Sequence, residues 1–208
     1  IANVSGSDGI QYMLDATDGL PLTVFIKLPP CVPASHLGSA GAELDAQSLS
    51  SLKAHPRVLG LAEFMNVPGA VLGMEGAIDK LLAFSGSHID GHAPGCSGPW
   101  LQAYAASGPA TDHETMTPAE AVEKVRAGMY VLLREASAAK NLRDLLPAIT
   151  VENARRFAFA TDDRHPTDLI NEGSIDNNLR IAVIAGLDPI TAIRIATING
   201  AEAIGLKD

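Results

Sequence analysis

The sequence contains only two cysteines among its 208 residues, Cys31 and Cys96. They lie far apart and form neither a CxxC pair nor the set of closely spaced cysteines that a disulfide framework needs. The sequence also lacks a predominantly apolar run of 18 residues, and its longest uncharged stretch, 93–111, is interrupted by Gly, Pro, Ser and Gln. A membrane-spanning helix needs such a run. These absences predict a protein without membrane spans that works in a reducing cytoplasm.

Basic residues are few: the sequence has 15 Lys and Arg but 24 Asp and Glu, which gives a net charge of −9. An acidic surface repels phosphate backbones, which argues against nucleic-acid binding. No GxGxxG follows the first apolar run, and no Walker GxxxxGK[ST] occurs in the sequence. Neither a dinucleotide-binding nor a P-loop fingerprint is therefore present.

What the sequence does have is a regular alternation of short apolar runs with longer helical stretches. Strands are predicted at 22–28, 58–64, 87–92, 109–113, 129–135 and 157–162. Helices are predicted at 45–54, 74–84, 97–106, 117–127, 138–147, 174–185 and 188–199, with start signals such as Thr117-Pro118 followed by Glu120. Strand-then-helix alternation predicts an α/β fold with a parallel sheet, here as one domain over 1–208.

Six such units approach the eight of a (β/α)8 TIM-type barrel, which we prefer to an open sheet. The chain starts at Ile1 with neither a methionine nor a signal peptide. We therefore expect it to be a segment of a longer protein, and the barrel to lack its first strands here.

Ionisable side chains end four of the six predicted strands: Glu63, His92, His113 and Asp162. In a parallel barrel, the carboxyl ends of all strands face one rim, where active sites lie. Each residue alone could be a solvated loop side chain or a turn cap. Their coincidence favours a metal site, and two imidazoles with two carboxylates suit Zn, Fe or Mn. His36 and His55 fall in loop contexts and are expected to face solvent.

Several segments together carry a family resemblance: 60–66 (GLAEFMN), 89–95 (IDGHAPG), 107–114 (SGPATDHE), 134–141 (REASAAKN), 161–166 (TDDRHP) and 196–202 (ATINGAE). In combination they resemble the adenine deaminases of the amidohydrolase superfamily, over essentially the whole chain. The resemblance implies a (β/α)8 barrel, a His-x-His pair upstream of Ile1, and a small accessory β domain that this sequence does not include. It also implies a homodimer.

The resemblance further implies a binuclear metal centre with two divalent ions, Fe(II) or Mn(II), with Zn(II) also possible. Glu63 resembles the carboxylate that bridges the metals. His92, His113 and Asp162 resemble the ligands at the ends of later strands. A water activated by the metals would attack C6 of adenine, a small-molecule purine base, and yield hypoxanthine and ammonia with Asp162 as general base.

Other polar residues near these positions are candidates for substrate contacts. Glu114 and Asp163 could assist proton transfer or bind purine N–H groups, and Glu135, Ser137, Arg164 and His165 could bind the purine. Equally, Glu114, Asp163, Glu135 and Ser137 could orient the metal ligands, as metal sites usually require. His165 could instead lie in a surface loop. Orientation is the role expected for Asp90 and Asp112.

Two other functions compete with this one. A cyclic amidase of the dihydroorotase or hydantoinase kind would use the same metal ligands. A metal-free barrel would serve only as a binding module. A polynucleotide deaminase is disfavoured, because the H-x-E and P-C-x-x-C motifs of the zinc deaminases do not occur.

Overall fold

A computed structural model describes residues 1–35 and 37–206, so His36 lies outside the described residues. The helices are α1 (Ala2–Ala16), α2 (Ala46–Leu52), α3 (Val67–Val71), α4 (Glu75–Ala83), α5 (Gly98–Ala106), α6 (Pro118–Arg126), α7 (Leu142–Leu145), α8 (Pro166–Asn171), α9 (Ile175–Ile184), α10 (Pro189–Ala196) and α11 (Ile198–Ala203). The strands are β1 (Ile26–Leu28), β2 (Val58–Phe64), β3 (His88–Gly91), β4 (Thr111–Asp112), β5 (Tyr130–Arg134) and β6 (Phe157–Ala160). Every described strand pair is parallel, which confirms the predicted α/β class.

The chain divides into two compact units. The first comprises residues 1–91 with 106–109, and the second comprises 92–105 and the described residues from Ala110 onwards. Each unit has its own three-stranded parallel sheet, in the order β1-β2-β3 and β4-β5-β6 respectively. Closure of these strands into an eight-stranded barrel stays a prediction.

In the first unit, apolar residues at matching register positions form the centre of the sheet. Leu28 pairs with Leu61, and Leu61 pairs with Ile89, and all three are buried. Beside them, a half-buried ion pair joins Asp90 of β3 to Lys27 of β1, with Nζ 2.6 Å from the carboxylate. Burial would raise the pKa of Asp90, but the hydrogen bond from His88 and the nearby Lys27 lower it to about 2.

In the second unit, β5 is the central strand, and its alternate side chains Val131 and Leu133 are completely buried. They pack in one apolar cluster with Phe157 and Phe159 of β6, Ala121 of α6, and residues of α7, α9 and α10. Both faces of a parallel strand are usually covered, which explains the nearly continuous apolar sequence of β5 and β6.

The predicted helix starts are confirmed where a cap was present. Thr117 caps α6 by accepting a hydrogen bond from the Glu120 amide, and Asp188 caps α10 by accepting from the Thr191 amide. The helix predicted at 188–199 instead breaks at Thr197, whose φ of −124° and ψ of −93° are not helical. The chain resumes as α11.

The helix predicted at 138–147 starts only at Leu142. Residues 135–141 form a turn, in which Glu135 pairs with Lys140 and the Ala136 amide donates to Ala139 O. The Asn141 amide donates to Arg134 O, so these backbone groups are unavailable for a helix. Three further helices, α1, α3 and α8, were not predicted.

Helix α1 is a case in which tertiary packing overrides weak local propensity. Its Gly6 has a φ of +54°, where two helical segments meet, and glycine there disfavours a regular helix. Ile10 and Leu14 are nonetheless buried and hold the segment in place.

No described helix is long and apolar enough to cross a bilayer. Cys31 and Cys96 are both free thiols.

Candidate metal centre

Polar side chains lie at or just beyond the carboxyl ends of all three strands in the second unit. His113 and Glu114 come directly after β4, Arg134 is the last residue of β5, and Asp162 lies two residues beyond β6. Because the carboxyl ends of adjacent parallel strands share one edge, these side chains converge there.

The convergence is close enough for a shared cation. One ligand atom from each of His113, Glu114 and Asp162 lies within 4.8 Å of the other two. His113 Nε2 is 3.7 Å from Glu114 Oε1, and His92 Nδ1 is 3.9 Å from the same oxygen. The His92 and His113 rings meet edge to face, with centroids 5.2 Å apart. The second unit thus brings together three residues predicted as metal ligands, with Glu114 added.

Arg134 supplies the positive charge that faces these carboxylates. Its guanidinium donates to both oxygens of Glu114, with Nη2 3.2 Å from Oε2, and its Nη1 lies 2.9 Å from Asp162 Oδ2. Burial would lower the pKa of Arg134, but the bonds and charges of the two carboxylates raise it overall. The guanidinium therefore stays charged and holds both acids in a fixed geometry.

Asp162 has an unusual backbone. Its φ of +52° is left-handed, and it is the one non-glycine residue with positive φ in the part of the chain that the structure describes. Asp tolerates this region better than most residues, and such conformations cluster at functional sites. The Arg164 amide donates to Asp162 O at 2.8 Å and closes this turn.

Two buried polar side chains hold the loop that carries His113. Asn141 donates to the carbonyl oxygens of His113 and Thr115, at 3.0 and 2.9 Å, and accepts from the Arg134 amide at 2.6 Å. Asp112 accepts from the Glu114 amide at 3.0 Å. Burial would raise the pKa of Asp112, but the Lys124 charge and several hydrogen bonds lower it, so it is ionised. Asp112 therefore contacts the backbone next to His113, and its expected role in orienting the metal ligands stays a prediction.

The donor set fits a divalent cation of borderline hardness. Imidazole nitrogens with carboxylate oxygens suit Zn, Fe and Mn, whereas Ca prefers oxygen ligands alone. The side chains of His113 and Glu114 are 13% and 19% exposed, so a bound ion would be partly shielded from water. Each carboxylate retains lone pairs beyond those that Arg134 occupies.

Glu63, the other predicted ligand, belongs to the first unit. It is the sixth of the seven residues of β2 and is half-buried, which places it at the carboxyl end of that strand as predicted. Its role as a metal ligand stays a prediction.

The predicted substrate residues form an interlocked pair of loops after β5 and β6. Ser137 Oγ accepts from the His165 amide at 2.8 Å and donates to the Asp168 carboxylate, while the Ser137 amide donates to Asp163 O. Glu135 is buried and pairs with Lys140 at 3.0 Å. The His165 and Asp163 side chains are exposed.

Arg164, also predicted to bind substrate, is buried. Its guanidinium donates to Gly173 O at 2.9 Å, to Glu135 O at 2.8 Å and to the Glu172 carboxylate. These bonds fix the loop after β6 against the end of β5. At this position Arg164 therefore stabilises the loop, whereas its neighbour His165 is exposed.

Arg134, Asn141 and Lys124 were not predicted. Arg134 is the single charged residue of an apolar strand and lies at its carboxyl end. Glu63 was predicted as a site residue from a charge at a strand end, and the same criterion could have found Arg134. Asn141 and Lys124 have no comparable pattern, because only the folded chain shows that they are buried.

Sequence comparison identifies the family of this chain. The model of the amidohydrolase family matches residues 1–208. The chain therefore belongs to the amidohydrolase family.

Three curated relatives of the chain are named adenine deaminases. The chain is 54% identical over 210 residues to an adenine deaminase of Nitratidesulfovibrio vulgaris and 48% identical over 211 residues to that of Desulfatibacillum aliphaticivorans. It is 51% identical over 208 residues to adenine deaminase 2 of Carboxydothermus hydrogenoformans. Each match covers 100% of this chain but only 36–37% of the relative, so the chain spans little more than a third of their length.

Proposed function

We propose that this chain contributes the metal-binding part of an adenine deaminase, which converts adenine and water to hypoxanthine and ammonia. The observation that carries the proposal is the identity of 47–54% to curated adenine deaminases over the whole chain. The imidazole and carboxylate groups that cluster at one sheet edge are the types of ligand that would hold the metal ions for this reaction. The residues 1–208 would then form part of a (β/α)8 barrel.

We assign the metal-holding role to Glu63, His92, His113 and Asp162, with Glu114 as a further donor. Two divalent ions, Fe(II) or Mn(II), or alternatively Zn(II), would be held with ligands from outside this chain. When bound, such ions lower the pKa of a water molecule towards neutrality and make it a nucleophile.

The carboxylates move the protons in this proposal. Asp162 Oδ1 or Oδ2 takes a proton from the attacking water and passes it to a ring nitrogen or to the departing amine. The two protons of the water end on the ring nitrogen and on the amine, so that ammonia leaves and the oxygen remains on C6 of hypoxanthine. Arg134 orients Asp162 and Glu114 by direct hydrogen bonds. Glu114 is placed to relay the proton or to bind a purine N–H group.

The loops after β5 and β6 would hold the purine. Ser137 and His165 are joined by a hydrogen bond, so both loops would move together on binding. We assign purine contacts to His165, Asp163 and Ser137, and assign to Glu135 and Arg164 the support of these loops. The enzyme would act in the cytoplasm, as a homodimer, in purine salvage.

The test uses the complete natural protein, freed of metal and reloaded with Mn(II). Release of ammonia from adenine, with equimolar hypoxanthine, is the expected result. Asp162→Asn should lower kcat by roughly 100- to 10,000-fold, the usual contribution of a general base. Asp176→Asn, at an exposed helical ion pair, is the matched control and should leave kcat unchanged.

The competing amidohydrolase reaction is an outcome of the same test. Hydrolysis of dihydroorotate or hydantoin, without ammonia release from adenine, would overturn the proposal in favour of a cyclic amidase. A complete protein that binds less than about one divalent ion per subunit would favour a metal-free binding module.

A further inference from the structure

Lys124 of α6 is completely buried, which is rare for a lysine. Its ammonium group lies 2.6 Å from Glu120 Oε1, 2.9 Å from Asp112 Oδ2, 2.8 Å from Ala93 O and 3.2 Å from Thr115 Oγ1. A buried ammonium has three N–H donors, and here every one has an acceptor within reach.

Asp112 completes the network from the other side. Its Oδ1 accepts from the Ala93 amide at 2.7 Å, and its Oδ2 accepts from the Glu114 amide at 3.0 Å. Ala93 directly follows His92, and Glu114 directly follows His113. The ion pair therefore joins the two loops that carry the histidines, through backbone groups adjacent to each of them.

Stability alone is a weak reason for such a network. The desolvation of two buried charges often cancels their attraction, and apolar residues of similar volume can replace such pairs without loss of stability. What a buried ion pair does supply is a fixed arrangement of its partners, since each bond has a preferred length and direction. Here the partners are the two histidine loops.

We propose that Lys124 is a positioning residue for the metal centre: with Asp112 it sets the spacing of His92 and His113, and thereby the affinity for a divalent cation. The proposal deepens the deaminase function and rests on it. Lys124 itself contacts none of the proposed ligand side chains among its described hydrogen bonds, so it acts through the backbone. Residues that orient metal ligands in this way typically contribute 10- to 100-fold in metal affinity.

The experiment compares Mn(II) affinity in wild type and Lys124→Met, in the complete natural protein, by competition with a chelator of known affinity. Methionine is similar in length but has no charge. We expect Mn(II) binding to weaken by roughly 10- to 100-fold, at a temperature where circular dichroism shows both proteins to be folded. The matched control is Arg180→Met, which removes a cation from an exposed i,i+4 pair in α9 and should leave the affinity unchanged.

Thr115→Val is a second variant for the case that Lys124→Met does not fold. Its hydroxyl donates to Asp112 at 2.7 Å and accepts from Lys124, and valine replaces it at nearly equal volume. Loss of the Thr115 hydroxyl should weaken Mn(II) binding by about 2- to 10-fold.

Wild-type affinity in a folded Lys124→Met protein would overturn the proposal. If Lys124→Met does not fold, wild-type affinity in Thr115→Val would overturn it. So would equal weakening in Arg180→Met. A wild type that binds no Mn(II) would contradict the proposed function instead.

Discussion

Arg134 Nη1 lies 2.9 Å from Asp162 Oδ2, and the same guanidinium holds the carboxylate of Glu114. One cation at the end of β5 therefore fixes two acids that belong to the loops after β4 and β6. Because the three strands are neighbours in one parallel sheet, a single side chain can tie the carboxyl ends of all of them. The relationship makes Arg134 the first target for mutation.

Arg134→Lys should lower kcat for adenine by about 10-fold or more. Lysine keeps the charge but has no planar fork, so it cannot bind two carboxylates in a fixed geometry. Arg134→Met should also lower the free energy of unfolding, by about 1.5–3 kcal/mol, since hydrogen bonds to charged groups are lost. Steady-state kinetics and urea titration measure the two effects. Arg180→Lys, at an exposed pair, serves as the control.

His113→Asn and His165→Asn should separate metal binding from substrate binding. Loss of the His113 imidazole should lower the metal content of the purified protein, because a ligand is removed from the cluster. His165 is exposed and outside that cluster, so its variant should keep full metal content while the KM for adenine rises. Elemental analysis and initial rates give the readouts. Equal metal loss in both variants would contradict the assignment.

Gly60→Ala should strongly destabilise the first unit, by on the order of 3 kcal/mol. Gly60 has a φ of +149°, and a Cβ there would lie 1.9 Å from His88 O on the neighbouring strand. The β2–β3 pairing would have to open, close to Glu63. The control is Gly76→Ala in α4, where a Cβ meets nothing within 4 Å. It should be neutral or stabilising by up to about 1 kcal/mol in thermal unfolding.

Asp188→Ala should lower the thermal midpoint at neutral pH, and the difference from wild type should shrink in acid. Hydrogen bonds from the Thr191 amide and hydroxyl lower the pKa of Asp188 below its ordinary value of 3.8. A lowered carboxyl pKa stabilises the fold above the unfolded-state pKa, and this contribution is lost as the pH falls through the folded-state value. Midpoints measured at neutral pH and at about pH 3 test this.

Asp188→Asn is the control for the pH dependence. Asparagine caps helices about as well as aspartate but does not titrate. Its midpoint should stay close to that of the wild type at neutral pH. If Asp188→Ala keeps its full deficit in acid, the cap does not depend on the ionised carboxylate.

The periodic pattern was sufficient to predict most helices and the core of every strand. β2 has the predicted bounds, because every one of its seven residues except Glu63 is apolar or glycine. The first predicted strand shrinks to Ile26–Leu28, and the helix at 138–147 loses its first turn to the loop that Asn141 holds. Such boundaries depend on long-range hydrogen bonds, which no local pattern contains.

The candidate site follows the same division. The sequence by itself determined which residue types end the strands, and hence that His113 and Asp162 would share an edge, since parallel strands align their carboxyl ends. Only the tertiary structure decided that Arg134 bridges Glu114 and Asp162, and that Lys124 is buried between two loops. The sequence pattern of a charged residue at a strand end is the same whether its side chain faces water or a partner. Its role is set by desolvation and by the groups that surround it, and those come from distant parts of the chain.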